Sequence, residues 1–436
     1  MAKYRFRIDN YHAIKHADLE INGITVVAGV NGSGKSTVSR WLNYVVNGLA
    51  SLEDMLFSDF RDSIVNSFSK YSVAIDDISA YSEDIKRKNY ENAIAQMSMI
   101  TLSSGGVEKL NYYFERAIDF LDEMLGAFID QETNANQVQR VLNVLGISRA
   151  EDALLKLQEY EIALFAKYEA EYQRRKTGRP LSYLQEKTKL IYKEKDMFPK
   201  SLSFKEDEVE LLSEKIGKIY GLNQAIYIGT PTAISLRQTD KVMLKALEQK
   251  ILYSNEKVID SPDSRSLLSL IERMLGGTVT EKENLSSVDL VYNTRSGQEL
   301  RIEDLASGYK PLVYLLRLID NGWLTKNTLL EIDEPETNLH PQWVVELVHL
   351  LVLIHKCLGT KILVTSHHPD MVSAIRYISE KEGLLDVTRF YLAEPEDEFS
   401  ILYEYKNLGH DIDPVFESFN ESFSTIQKYA GNYGEL

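Results

Sequence analysis

The chain has 436 residues, and its content of 44% hydrophobic, 26% charged and 10% aromatic residues is enough for a sizeable core and excludes wholesale disorder. That length exceeds what one simple core needs, so we expect two structural units. The formal net charge of −16 argues against a protein that coats nucleic acid, because such proteins usually present a basic face.

Three features of the sequence indicate a cytoplasmic protein with no membrane segment. The one cysteine, Cys357, cannot form an intrachain disulfide and fits a reducing compartment. Residues 1–11 alternate polar and apolar side chains and lack the apolar stretch of a signal peptide. The most apolar helix candidate, residues 343–358, is interrupted by charged and histidine side chains. We expect it to be too short and too charged to span a bilayer, and therefore to be a buried core helix.

The N-terminal residues predict a strand pair, a third strand and a phosphate-binding loop. Apolar and charged residues alternate over residues 3–9 and 14–21, and the apolar run 24–28 follows. Gly29–Ser36 then reads Gly-x-x-x-x-Gly-Lys-Ser, which is a complete P-loop, and a helix is predicted from about Lys35. In such a loop the glycines let backbone N–H groups surround phosphates at the positive end of the helix.

The P-loop predicts ATP and Mg²⁺ as ligands. Lys35 is expected to reach the β- and γ-phosphates, and the Ser36 hydroxyl is expected to coordinate Mg²⁺. The residues expected to bind nucleotide in this segment are Asn31, Gly32, Ser33, Gly34, Lys35, Ser36 and Thr37.

Residues 51–222 have a different texture. Glycine and proline become rare and helix-forming residues dominate, which predicts an inserted helical domain. Sustained heptads are missing, so a long coiled-coil arm is not expected. We therefore expect a composite domain of residues 1–50 and 223–436 that the insert at 51–222 interrupts.

A basic segment lies inside this insert. Between Tyr172 and Lys200 there are nine Lys or Arg residues against three acidic ones, and the densest part consists of Arg174, Arg175, Lys176 and Arg179. One interpretation is a solvated helix end and loop; the other is a contact for DNA or for an acidic partner protein.

Two carboxylates follow an apolar strand in the C-terminal half. The runs Leu329–Ile332 and Ile362–Thr365 predict buried parallel strands with a helix between them. Asp333 is expected to hold Mg²⁺, and Glu334 is expected to orient or deprotonate the attacking water. The alternative is an acidic strand end that caps the next helix.

Two further motifs accompany this pair. Ser307 and Gly308 precede a predicted helix over 311–319 and form either an anion site or an ordinary N-cap. His367 and His368 follow the second buried strand, and a histidine there can hydrogen-bond a γ-phosphate. We assign that role to His367.

The order of these four motifs resembles that of the ABC-type ATPase heads of the SMC, RecF and OLD families, and the likeness is close to small bacterial ATPases of the RecF/OLD type. It covers roughly residues 1–48 and 225–392. It implies an α/β fold of the P-loop NTPase class, with a mixed sheet flanked by helices and the helical domain inserted into it. The sequence departs mildly from the family at Ala306–Lys310, where many relatives have Ser-Gly-Gly or Ser-Ser-Gly.

The resemblance also implies partners. Ser307 and Gly308 would be the signature motif, donated to ATP on the P-loop of a second copy, so that two heads form a homodimer around two ATP molecules, alone or within a higher oligomer. Residues 336–341 resemble the D-loop region of the same interface. Gln224 is one candidate for the Q-loop glutamine, and residues 10–15 are candidates for the adenine contact.

These observations lead to an ATP-driven switch that controls a separate effector protein. Stand-alone ATPases of this appearance are familiar in bacterial antiphage defence, beside a separately encoded nuclease or toxin. OLD nucleases continue into a Toprim domain, and too few residues follow His367 in this sequence for one. One alternative is a RecF-like repair ATPase that binds DNA directly. Another is a scaffold that binds ATP with little turnover, and an ABC transporter subunit is the least favoured.

Overall fold

The fold is taken from a computed structural model, which describes residues 2–67, 99, 106–131, 135–145, 153–192, 198–229, 238–255, 261–283, 288–397 and 400–417. The chain divides into two compact units. One consists of residues 1–50 and 180–436, and the other consists of residues 51–179.

The first unit is built on a ten-stranded sheet with the order β5-β4-β1-β2-β13-β12-β3-β11-β10-β6, and a separate three-stranded sheet has the order β7-β8-β9. The strands are β1 (Tyr4–Tyr11), β2 (Ile14–Glu20), β3 (Ile24–Gly29), β4 (Ser201–Glu206), β5 (Val209–Glu210), β6 (Gln224–Ile228), β7 (Gly277–Glu283), β8 (Val288–Thr294), β9 (Glu299–Arg301), β10 (Thr328–Asp333), β11 (Lys361–Ser366), β12 (Thr388–Pro395) and β13 (Tyr403–Gly409).

The helices of the described residues divide between the two units. In chain order they are α1 (Lys35–Ala50), α2 (Leu52–Ser67), α3 (Gly106–Gln131), α4 (Ala135–Leu145), α5 (Ala153–Gly178), α6 (Leu181–Tyr192), α7 (Gln238–Leu252), α8 (Pro262–Leu275), α9 (Lys310–Asp320), α10 (Pro341–Leu358) and α11 (Pro369–Lys381). Helices α2 to α5 lie in the second unit and the others in the first.

The centre of the large sheet is parallel. Strands β12, β3, β11, β10 and β6 run side by side in one direction, with β3 between β12 and β11. Each of β3, β10 and β11 is buried along its whole length, which explains why their sequences are nearly continuous apolar runs. The fold expected from the sequence, a mixed sheet flanked by helices around a P-loop, is therefore confirmed.

Side-chain alternation along β10 assigns its two faces. Leu330 and Ile332 belong to the hydrophobic core that includes α10, whereas Glu331 lies on the other face, where Ser39 of α1 approaches it. Asp333 follows Glu331 with the same parity, so it shares the face of α1. The strand thus delivers its last carboxylate to the side of the sheet on which the P-loop helix begins.

Helices α10 and α11 begin in the same way. Each has a histidine N-cap followed directly by proline; His340 Nδ1 accepts a hydrogen bond from Gln342 N–H, and His368 Nδ1 accepts one from Asp370 N–H. Proline fits the first helical position because the N–H that it lacks would have no partner there.

Helix α10 corrects one expectation. Its 18 residues are long and apolar enough to cross a bilayer, judged by length and composition alone. Among the described residues it is the one helix that meets this criterion. Its buried residues instead join the core, where α10 packs against β11, α8 and α11. The expectation of a core helix is therefore correct, but the reason given for it is not. The helix is long and apolar enough to span a bilayer, and its contacts show that it belongs to the core.

The second unit has an aromatic core of its own. Phe60 stacks on Tyr172 with ring centroids 5.2 Å apart, and Phe165 contacts both Phe60 and Phe114 at 5.5 and 4.7 Å. These rings join α2, α3 and α5, so the unit is held together by helix packing around large buried side chains.

The boundary after the insert differs from the sequence expectation. The insert was expected to end at residue 222, but the second unit ends at Arg179. Residues 180–222 include β4, which pairs with β1 in the register Phe6 to Phe204 and so extends the large sheet. The sequence did not reveal this strand, because six residues of alternating polar and apolar side chains give a weaker pattern than the long helical stretches around them.

Candidate functional site

The P-loop occupies the turn between β3 and α1. Gly32 and Gly34 have φ values of 85° and 92°, which favour glycine. A Cβ on Gly34 would come within 2.8 Å of Ile14, whereas a Cβ on Gly32 would meet no atom of the described residues within 4 Å. The loop therefore packs against β2 on one side and has open space at Gly32, which fits a loop that approaches a phosphate group through its backbone.

Lys35 lies within this loop. Its Nζ donates hydrogen bonds to the carbonyl oxygens of Gly29 and Val30 at 2.8 and 2.9 Å. Burial lowers the pKa of Lys35, while the carboxylates of Glu334, Asp333 and Glu336 oppose that shift. The ammonium group is thus within electrostatic range of three acidic side chains. Asn31 is exposed, and Ser36 and Thr37 are half-buried in the first turn of α1.

Two hydroxyl groups fix the carboxylate of Asp333 at the end of β10. Thr365 donates to Oδ1, and Tyr227 donates to Oδ2 at 3.0 Å. Burial, and next the negative charge of Asp333, raise the pKa of Tyr227, so the phenol stays a donor. Two neutral hydroxyl donors therefore orient the carboxylate of Asp333.

Glu334 has a left-handed backbone. Its φ is 49°, an unusual value for a residue with a side chain. The conformation is held by hydrogen bonds from Glu334 N–H to Thr365 O and from Thr337 N–H to Glu334 O, both 3.0 Å long. Strain of this kind costs about 1–3 kcal/mol and is typical of functional sites. The turn directs Glu334 away from the line of the strand, toward the loop that follows β11.

The two histidines after β11 have different environments. His368 caps α11, as described above. His367 Nδ1 lies 3.3 Å from Glu334 Oε1 and 3.6 Å from Glu336 Oε1. The structure therefore brings His367 together with Glu334, and the role of His367 at a γ-phosphate stays a prediction.

Ser307 and Gly308 form one 3₁₀ turn, Ser307–Tyr309, that leads into α9. A Cβ on Gly308 would come within 2.9 Å of Leu339 Cδ2 and 3.1 Å of Asn338 O. The turn thus packs on the loop that follows Glu336. Within the described chain, no hydrogen bond joins Ser307 or Gly308 to the P-loop, so these predicted ligands are separate from the others.

Gln224 is the wrong candidate for the Q-loop. It begins β6, and it pairs with Thr328 at the start of β10, so it lies at the opposite edge of the sheet from Asp333. Its amide is committed there, because it donates to Trp323 O and accepts from Lys250 Nζ. The carboxyl end of β6 leads into residues 230–237, which lie outside the described residues.

The four basic residues in the densest part of the segment each have a partner within the second unit, whereas Lys193 and Lys195 lie outside the described residues. Arg174 and Arg175 both bind Glu171, and these contacts lower the pKa of Glu171 to about 2. Arg179 is buried and contacts Glu53. Lys176 lies over the ring of Tyr172. These contacts favour the structural interpretation of the segment over a phosphate-binding surface.

The structure adds polar groups that the sequence did not single out. Tyr405 of β13 is buried and donates a hydrogen bond to Ser33 O in the P-loop at 3.0 Å. Glu331 is fully buried below α1, and burial raises its pKa. Glu331 was visible as one acidic residue inside an apolar run, but nothing in the sequence links Tyr405 to the P-loop.

Comparison with known families and proteins gives two findings. A family model described as "AAA ATPase domain" matches residues 3–372, which is most of the chain. The Septu protein PtuA of Bacillus thuringiensis is 31% identical over 98 residues, which are 20% of this chain. That match spans only 24% of the length of PtuA.

Two solved structures are similar over most of their length, but weakly. The Smc head domain of Pyrococcus furiosus, bound to the C-terminal domain of ScpA, has 12% identity and a TM-score of 0.36, with 98% of this chain and 100% of that chain covered. The ATP-binding cassette of an ABC transporter in its ADP conformation has 10% identity and a TM-score of 0.31, with 92% and 93% covered. At these TM-scores the likeness establishes neither fold nor function.

Removing the Tyr405 hydroxyl should weaken nucleotide binding. Tyr405→Phe takes one donor from the P-loop carbonyl of Ser33, and a net loss of about 1 kcal/mol corresponds to a roughly fivefold higher Kd for ATP. Fluorescent-nucleotide titration measures it.

The matched control is Tyr391→Phe. The Tyr391 hydroxyl is also buried but accepts its hydrogen bond from Glu20 N–H, away from the P-loop. Both variants should lose similar stability, and only Tyr405→Phe should lose affinity. Equal ATP affinity in the two variants would contradict the role of Tyr405.

Proposed function

Because the chain belongs to the family of AAA ATPase domains, we propose that it binds and hydrolyses Mg-ATP and acts as a switch that forms and separates a dimer of heads. The observation that carries this proposal is the meeting of Lys35, Asp333, Glu334 and His367 at the carboxyl edge of β3, β10 and β11. A cation, an oriented metal-binding carboxylate and a base–histidine pair are the groups that phosphoryl transfer to water needs.

The roles follow from the contacts of each side chain. Lys35 would hold the β- and γ-phosphates, and Ser36 with Asp333 would bind Mg²⁺, which supplies positive charge to the phosphate oxygens when bound. Glu334 is partly exposed and would orient the attacking water, which contributes roughly 10²–10⁴-fold to the rate. His367 would donate to the γ-phosphate and respond to its loss.

The β1–β2 turn is the proposed place of the adenine. Ile14 contacts the backbone of Gly34, so residues 10–15 lie beside the P-loop. His12 is exposed in this turn, its φ is 50°, and its ring packs edge-on against Tyr11 at 4.3 Å. An exposed ring held by an aromatic neighbour is suited to stack on a purine.

The second copy would complete each site. Gly308 packs on Asn338 and Leu339 of the D-loop region, which supports one continuous surface made of these two segments. In a symmetric pair that surface would face the P-loop of the partner and bind its γ-phosphate. ATP would then favour the closed dimer through its higher affinity for the complete site, and hydrolysis would release it.

A separate effector would provide the output, in the cytoplasm. The match to the Septu protein PtuA supports a role in antiphage defence with a protein partner such as a nuclease or toxin. The paired arginines of the second unit support a protein rather than DNA as that partner. The strained Glu334 turn supports turnover over the scaffold alternative, because a static binder has no need of it.

Glu334→Gln should bind ATP but hydrolyse it at least 100-fold more slowly, because the carboxylate that orients water is lost. With ATP and Mg²⁺ the variant should accumulate as a dimer, measured by light scattering after size exclusion. Lys35→Ala should bind ATP weakly and stay monomeric under the same conditions. An active, monomeric Glu334→Gln protein would refute the proposed role.

A mixture of two inactive variants should recover activity if the sites are composite. Lys35→Ala disables one P-loop, and Ser307→Arg disables one signature turn. In a mixed dimer the intact Lys35 faces the intact Ser307, so each mixed dimer has one complete site and the rate should rise above that of either component, to at most about one quarter of the wild-type rate, the value for random pairing. A mixture no faster than its separate components would argue against sites shared between copies.

Linear double-stranded DNA should leave the steady-state rate unchanged within about twofold, because the arginines that would bind phosphates are already paired or buried. The rate is measured at several protein concentrations, with and without DNA, at low salt. Strong stimulation that disappears as salt rises would instead support the RecF-like alternative.

A further inference from the structure

Glu336 is a buried carboxylate that the mechanism above leaves without a role. It lies two residues after Glu334 and is 5% exposed. Its Oε1 accepts a hydrogen bond from Ser366 Oγ at 2.6 Å and another from His367 N–H at 3.1 Å. The side chain thus joins the loop after β10 to the loop after β11, next to the histidine assigned to the γ-phosphate.

Among the described residues, two buried polar atoms beside this contact have no hydrogen-bond partner. They are Glu336 Oε2 and His367 Nδ1. The ring nitrogen lies 3.6 Å from Glu336 Oε1 and 3.3 Å from Glu334 Oε1, but neither approach has hydrogen-bond geometry. An unpaired buried polar atom costs about 1–3 kcal/mol. Rotation of the imidazole toward Glu336 would allow Nδ1–H to donate a hydrogen bond to this carboxylate.

We propose that Glu336 is the positioning residue of His367: its carboxylate accepts a hydrogen bond from Nδ1–H when the head is ready for hydrolysis. That bond fixes the tautomer and the plane of the ring, so that Nε2 projects to the side opposite the two carboxylates. It also withdraws the ring from Glu334, which becomes available to orient water. This inference rests on the proposed hydrolysis of ATP at the same site.

The substitution Glu336→Gln separates this role from a purely structural one. The amide keeps one oxygen, which can still accept from Ser366 and His367 N–H, so the tie between the loops remains. It offers an NH₂ group in place of the second oxygen and removes the negative charge, so it cannot serve as the same acceptor for Nδ1–H. The substitution therefore keeps the hydrogen bonds that join the two loops and removes the acceptor that would position the His367 ring.

A matched control is available at the opposite edge of the sheet. Glu206 is also a buried carboxylate that accepts from a hydroxyl, Tyr4, and from backbone N–H groups, those of Tyr220 and Gly221. Glu206→Gln should lower the Tm by an amount similar to Glu336→Gln and should leave kcat and KM unchanged.

The experiment measures kcat, KM and Tm for both variants, and single-turnover hydrolysis for Glu336→Gln alone and combined with His367→Ala. We expect Glu336→Gln to lower kcat about tenfold or more with KM within about twofold, as outer groups that orient a histidine do elsewhere. In the His367→Ala background the same substitution should change the rate less than about twofold, because the residue acts through the ring.

Two results would overturn the inference. One is a kcat for Glu336→Gln within about twofold of the wild type; the other is an equal loss in the His367→Ala background. If Lys35→Ala and Glu334→Gln behave as expected while Glu336→Gln is silent, this inference alone fails. If Lys35→Ala hydrolyses ATP like the wild type, the proposed function fails and the inference fails with it.

Discussion

The parallel ladders that join β3 to β11 and β11 to β10 set the geometry of the whole site. In their register Ser366 pairs with Ala28, and Asp333 pairs with Thr365, so three strand ends stop at the same edge of the sheet. The P-loop begins at the last residue of β3, Asp333 and Glu334 are the last residue of β10 and the first one beyond it, and His367 is the first residue beyond β11. A shift of one residue in either ladder would turn Asp333 to the face of α10 and separate it from Lys35.

The second constraint is electrostatic. The ammonium group of Lys35 is within electrostatic range of three carboxylates, and buried charge of one sign is costly unless it is hydrogen-bonded. The structure offsets this cost with hydroxyl donors, since Thr365 and Tyr227 bind Asp333 and Ser366 binds Glu336. Carboxylates that hydroxyl donors hold in place are the kind of oxygen ligand that Mg²⁺ takes.

The elements that the sequence predicted well are those with local signals. The P-loop, its strand and its helix follow from glycine spacing and an apolar run, and the strand before Asp333 follows from burial on both faces. Contacts that depend on the three-dimensional structure could not be predicted. Gln224 lies beside the start of β10, at the end of the strand opposite Asp333. The ion pair between Arg174 and Glu171 is visible only once the side chains are placed. Tyr405 and Glu336 could not be placed for the same reason, because their partners are set by packing rather than by spacing.

The position of β3 has a consequence for synthesis of the chain. Its neighbours in the sheet are β11 and β12, so Val26 pairs with Val364 and with Phe390, which leave the ribosome hundreds of residues later. Until then β3 lacks the two strands with which it forms backbone hydrogen bonds. The helical unit, whose contacts are more local, is free to fold in the meantime. An apolar strand exposed for that long is prone to aggregate, and folding of the nascent chain should depend on chaperones until β12 has emerged.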